Sequence, residues 1–177
     1  MADEKKDPWL NYLALTTVIV AVCATLSTFK GGGFSTKSML SQEQASNKWS
    51  YFQSKSLKLY LFELEKSRME LELKRIPASE AEFSKDYKDK IQEYADMTKR
   101  YESEKDEIKK DAEKLELSRD DAQAHSKTFG MAVIFLQLSI LFASIAALIK
   151  KKPIWYLAMA VGLFGLFYFF DGFLLFF

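Results

Sequence analysis

Charged residues are absent from Pro8 to Phe29 and again from Thr128 to Ile149, and Asp171 is the one charge from Pro153 to Phe177. A helix spans the hydrocarbon core with about 20 mainly apolar residues, and a central charge costs about 2.5–3.5 kcal/mol there. The pattern therefore predicts three transmembrane helices, at 9–29, 129–149 and 154–177. A tail at 1–8 precedes the first, and a short basic loop at 150–153 joins the last two. Residues 30–128 between them read as an extramembrane helical hairpin with its turn near 76–79. The expected fold class is an all-α membrane protein, with a long antiparallel, coiled-coil-like hairpin inserted between the first and second spans.

The breakers sit at these boundaries. Glycine occurs at 31–33, 130, 162, 165 and 172 and proline at 8, 77 and 153, so the polar middle has one internal breaker. Lys30-Gly31-Gly32-Gly33 predicts a helix end and a flexible joint, with Ser35 or Thr36 as the next N-cap. Ile76-Pro77 ends the outward helix, because proline disfavours α geometry in the residue before it. Ser79-Glu80-Ala81-Glu82 has the form of a capping box and starts the returning helix. That helix is expected to run nearly unbroken from Ser79 to about Ile149.

Apolar and small residues on the returning helix alternate by four and three: Tyr87, Ile91, Tyr94, Thr98, Tyr101, Lys105, Ile108, Ala112, Leu115, Arg119, Ala122, Ser126. This is a heptad seam, weakened by Lys105 and Arg119 at core positions. Its partner face on the outward helix is Ala45, Trp49, Phe52, Ser56 and Leu59, with Tyr60, Leu61 and Leu64 beside them. At ~1.5 Å per residue the two helices measure ~60 and ~75 Å, so a turn at Pro77 returns the chain to one membrane surface.

Charge adds an exclusion. Residues 30–128 carry 20 Lys and Arg against 20 Asp and Glu. Nucleic-acid binding needs a net basic footprint, which this balance does not give. The one cysteine, Cys23, lies in the first apolar run, so no intramolecular disulfide forms. Val22-Cys23-Ala24 would be a tolerable signal-cleavage site, but the run is long enough to be a span. Short loops set orientation: Lys150–Lys152, with Lys5 and Lys6, put both on the cytoplasmic side and the hairpin outside. Lys30, Lys37, Arg119 and Lys127 on the hairpin side oppose this.

Residues 6–17, Lys-Asp-Pro-Trp-Leu-Asn-Tyr-Leu-Ala-Leu-Thr-Thr, lead into the first span, and Ala-Thr-Leu-Ser-Thr-Phe-Lys-Gly-Gly-Gly at 24–33 closes it. Gln-Ala-Ser-Asn-Lys-Trp-Ser-Tyr-Phe-Gln-Ser-Lys-Ser-Leu-Lys follows at 44–58. Over most of its length the chain resembles the bacterial membrane-protein family catalogued as domain of unknown function 4337. It departs from that pattern at Asn47, where an acidic residue is usual. The resemblance implies a bacterial integral membrane protein with a helical extramembrane segment, and no established activity.

Candidate chemistry is sparse. His125, the single histidine, reads as a solvated surface residue, and no Cys/His cluster supports a metal site. No nucleophile–His–acid set or phosphate-binding glycine loop stands out, so the expectation is a protein that is not an enzyme and carries no cofactor. Asp171 lies ~26 Å along the third span, which suits an interfacial anchor; the alternative is an ion or proton site. Trp49, Phe52, Gln53 and Lys55 form a partner-interface candidate beside the reading that the aromatics pack on the returning helix. Small residues at spacing four, Thr17, Ala21 and Thr25, then Ser139, Ala143 and Ala147, and Ala158 with Gly162, are candidate helix-association faces. The functional expectation is a self-assembling scaffold in the inner membrane, touching lipid, its own copies and other envelope proteins. The alternative is a transport, channel or regulatory subunit using Asp171.

Overall fold

A computed structural model describes residues 8–77 and 81–175. Among these the chain is helical throughout, with no strand: α1 is Pro8–Leu73, α2 is Ala81–Ile149 and α3 is Lys152–Leu174. Each helix is long and apolar enough over part of its length to cross a membrane. Lys5, Lys6, Ser79 and Glu80, which carry the N-terminal charge and capping-box expectations, lie outside the described residues.

The expected joint at Lys30–Gly33 does not exist, because α1 runs through it unbroken. Gly31 serves close packing instead. A Cβ built there would lie 3.0 Å from Phe129 Cβ, whereas at Gly32 and Gly33 it would meet open space. Ser126 Oγ donates to the Gly31 carbonyl at 3.1 Å. Ser35 and Thr36 are likewise mid-helix rather than caps, and Thr36 Oγ1 donates to Gly32 O one turn back at 3.1 Å. Real ends come where the backbone has no alternative. Proline at 8 starts α1, where its missing N–H is no loss. Beyond Leu73 the chain tightens into a turn, with Arg75 N bonded to Glu72 O and Ile76 N to Leu73 O, before Pro77. Lys150 adopts φ 56° after α2, and Lys151 N closes onto Ala146 O at 3.3 Å, a left-handed helix ending. Pro153 then opens α3.

The chain divides into two compact units, one of residues 8–40 with 118–175 and the other of residues 41–117. In the first, Ala24, Phe129, Ala132, Leu136 and Phe169 form a buried cluster drawn from all three helices. Small residues set the approach of α3. A Cβ at Gly162 would stand 2.7 Å from Ser139 Oγ, and one at Gly165 would stand 2.7 Å from Leu136 Cγ and 2.9 Å from its backbone nitrogen.

In the second unit α1 and α2 pair in opposite senses, because partner numbers fall as α1 numbers rise. Lys48 Nζ lies 2.6 Å from Asp111 Oδ2, Lys55 bonds Glu104, and Tyr87 Oη donates to Glu72 Oε2 at 3.0 Å. Ala45, Leu59, Ile108 and Ala112 are buried. Phe62 is wedged between Tyr94 and Tyr101, with ring centroids 5.7 and 5.5 Å away. The expected neighbours Tyr60, Leu61 and Leu64 are exposed instead. With Leu59 facing inward, the next inward position is Phe62, one turn on, which turns 60, 61 and 64 outward.

Candidate functional site

Three neighbourhoods hold the side chains with chemical potential. The first is on the 41–117 unit. Trp49 and Phe52 pack edge to face at 5.4 Å, and Trp49 Nε1 donates to Glu116 Oε1 at 2.9 Å. Lys55 is half-buried, bonded to Glu104 and set over the Tyr101 ring at 4.6 Å. Lys105 Nζ sits 5.6 Å from the Phe52 centroid. Two lysines thus occupy a helix seam without a bare buried charge, stems packed inward and ammonium groups on aromatic faces or carboxylates. Glu104 holds the Lys55 ammonium above its ordinary value, and Lys55, followed by Arg100, holds Glu104 below its own. Gln53 is exposed on the opposite side. Trp49, Phe52 and Lys55 are therefore brought together on α2, and Gln53 is left out.

The second neighbourhood lies at the α3 end of the other unit. Asp171, the candidate anchor or ion site, is only 3% exposed. Its backbone carbonyl accepts from Leu175 N at 2.7 Å, where left-handed Leu175 closes α3. The next residue, Gly172, packs on Phe129, whose ring a Cβ would reach at 2.9 Å. That contact draws the last turn of α3, and Asp171 with it, inward. His125 is not a solvated surface residue either. Its ring stacks on Phe34 at 4.4 Å, and Nδ1 lies 2.8 Å from the Gly172 carbonyl oxygen. A carbonyl can only accept, so Nδ1 carries the proton and caps the helix end, with Asp121 Oδ1 3.8 Å from Nε2. Its place one residue before Ser126 on the four–three spacing was the available signal for an inward ring.

The third is a cavity of about 130 Å³ within the same unit, lined by Thr16, Thr17, Val20, Ser139, Trp155 and Gly162 among others. Ser139 Oγ donates to Ala158 O at 2.7 Å, which satisfies its buried hydroxyl. Ser139, Ala143, Ala158 and Gly162 are buried, Thr17, Ala21 and Ala147 partly so. Of the small-residue faces, Thr25 alone is exposed, its hydroxyl donating to Ala21 O at 2.9 Å. The small residues of α2 and α3 are used in packing this chain's own helices, so they are not spare surface.

Among the described residues no three His, Cys, Asp or Glu side chains converge as a metal site would require. No curated protein and no solved structure matches the chain. Residues 9–175, which take in all three helices and each neighbourhood above, match the domain of unknown function DUF4337, and the chain belongs to that family.

Proposed function

We propose that this protein is a multi-pass membrane scaffold, without catalytic activity, that self-assembles through its membrane helices and its helical hairpin. One observation carries the reading. Inward positions on α1 keep the four–three spacing from Leu13 through Ala24, Ser41, Ala45 and Leu59 to Leu73, with no slip between the apolar and polar stretches. A spacing held that long gives helix-on-helix packing rather than the lining of a pocket. The partners expected of such a protein are lipid, further copies of the chain and other envelope proteins. The basic loop Lys150–Lys152 orients it with N-terminus and loop cytoplasmic and the hairpin outside.

The deciding measurement is the native mass of the particle in mild detergent, paired with crosslinking in membranes. A multiple of the chain mass with self-crosslinks supports the scaffold. A single-chain mass with no self-contact overturns it. A cysteine at position 79 in a Cys23→Ser background should label with an impermeant reagent in intact cells; labelling only after lysis reverses the orientation.

Burial of Asp171 favours a second reading, a transport or regulatory subunit in which that carboxylate serves an ion or proton. Asp171→Asn would then abolish a proton or cation flux in proteoliposomes, whereas a scaffold would show none to abolish.

A further inference from the structure

The two helices of the 41–117 unit share one environment but present different outer faces. On α2 the outward positions are charged or polar, among them Lys85, Lys88, Gln92, Lys99, Ser103 and Lys110, apart from Phe83 and Leu117, which lie singly at the two ends of the unit. On α1 the outward positions Leu57, Tyr60, Leu61, Leu64 and Leu71 are apolar and between 50% and 61% exposed. Single exposed leucines are ordinary, whereas a contiguous row on one face of one helix is an interaction surface.

The spacing identifies the occupant. Leu57, Leu61, Leu64, Arg68 and Leu71 alternate by four and three, opposite the seam that faces α2. Leu57, Leu64 and Leu71 fall on the d position, which leucine occupies in parallel two-stranded coils, and Leu61 and Arg68 on the a position. Arg68 is already neutralised by Glu72, Nε to Oε1 3.2 Å, and a single polar residue at that position fixes register. We propose that this face binds the same face of a second copy, parallel and in register, which rests on the self-assembly reading above and names its contact.

Flanking residues agree with a parallel pair. Positions five apart then oppose each other across the seam: Gln53 meets Lys58, Tyr60 meets Glu65 and Ser67 meets Glu72 of the second copy. Each cross-pair sets a hydrogen-bond donor or neutral group against a charge, and no like charges meet. An antiparallel pair would set Leu57 against Arg68. Copies inserted with one topology also point their helices the same way. The stripe spans ~21 Å, too short to hold free chains, but anchoring in one bilayer raises the effective concentration.

The test uses the full chain in liposomes, in a Cys23→Ser background, under mild oxidation. Leu57→Cys and Leu71→Cys should each crosslink to dimer on their own, and Ser103→Cys on the outer face of α2 should not. Leu64→Glu should abolish both crosslinks while leaving helix content unchanged, since Leu64 touches solvent in the single chain. A crosslink formed only when Leu57→Cys and Arg68→Cys chains are mixed means antiparallel pairing and overturns the proposal. An oligomeric native mass with no crosslink at 57 or 71 also overturns it but leaves the scaffold standing. A single-chain mass removes both.

Discussion

The two units solve the problem of helix pairing with opposite materials. In residues 8–40 and 118–175 the helices close on small residues: Gly31 lies under Phe129, Gly162 on Ser139 and Gly165 on the Leu136 backbone. In residues 41–117 rings and long polar chains fill the seam beside Ala45 and Ala112, with Phe62 between two tyrosines and Lys55 on Glu104 and Tyr101. Insertion of the first unit in lipid, as proposed above, accounts for the difference. In lipid an apolar side chain gains nothing by leaving its surroundings, so association rests on close backbone approach and dispersion. In water, burying apolar area drives association, and large rings bury most. The same four–three spacing serves both because it describes a helix face rather than the medium.

A charge placed in the seam of the 41–117 unit should have the largest effect. Ile108 is buried among that unit's apolar residues. Ile108→Asp removes its packing and buries an unpaired carboxylate, which together cost about 4 kcal/mol. The 41–117 pair should become protease-sensitive while membrane insertion stays intact. Unchanged resistance would mean that the seam gains nothing from apolar burial.

The reciprocal change acts on the unit packed by small residues. Gly165→Val adds bulk where a first Cβ already stands 2.9 Å from the Leu136 backbone nitrogen, which cannot rotate away. Overpacking of this kind costs about 1–3 kcal/mol. The expected result is a lower thermal midpoint in detergent and freer access of a thiol reagent to Cys23, with the tyrosine-lined pair undisturbed. Wild-type behaviour would show that α3 does not depend on close approach there.

These two sites also mark what could be read from sequence. The seam around Ile108 was legible because polar solvent forces a period on apolar residues, and three helices long and apolar enough to cross a membrane were legible because their stretches exclude charge. Glycine was misread at 31–33. A glycine-rich run breaks an isolated helix, but a helix packed along its length retains it when one glycine meets a ring, and nothing in the local sequence names Phe129 as that ring. His125 packs inward for a related reason. The Gly172 carbonyl that meets His125 lies 47 residues away in sequence and is brought in by the fold of α3. Spacing finds the faces of a helix; it does not find which distant terminus is drawn in.

Acid should weaken the two units unequally. Tyr87 first, and then Arg68, holds the Glu72 carboxyl below its usual range, and Lys48 does so for Asp111. With Lys55 on Glu104, these bonds join α1 to α2. A carboxylate held low contributes stability that is full above its ordinary value and lost as pH falls through the lowered folded value. Asp120 in the other unit is also held low, but by its neighbour Arg119 on the same helix, so it ties no two helices together. Spin labels at Lys58 and Lys99 should therefore give a broadening distance distribution as pH falls below the usual carboxylate range. In a Trp49→Phe background the tryptophan signal of Trp9 and Trp155 should hold. The effect is modest, since exposed pairs are worth little each. Equal loss in both units would remove the distinction.

The smallest change should move stability upward. Ser56 occupies a seam position, and its Oγ is buried without a hydrogen-bond partner. Ser27, Ser50 and Ser144 each bond the carbonyl one turn back, as Ser50 does to Ser46 at 3.0 Å, and Ser56 makes no such bond. A buried hydroxyl with no partner has lost its water and gained nothing, and alanine both removes that group and forms helix more readily. The cavity left by one oxygen atom is too small to offset those gains. Ser56→Ala should stabilise the 41–117 pair by about 0.5–1 kcal/mol. The measurement is the urea midpoint of helix unfolding, with wild type and Ile108→Asp as the bracketing references. A lower midpoint would mean that the hydroxyl is paired by ordered water in the seam, and the water-side unit would then be wetter between its helices than its apolar spacing implies.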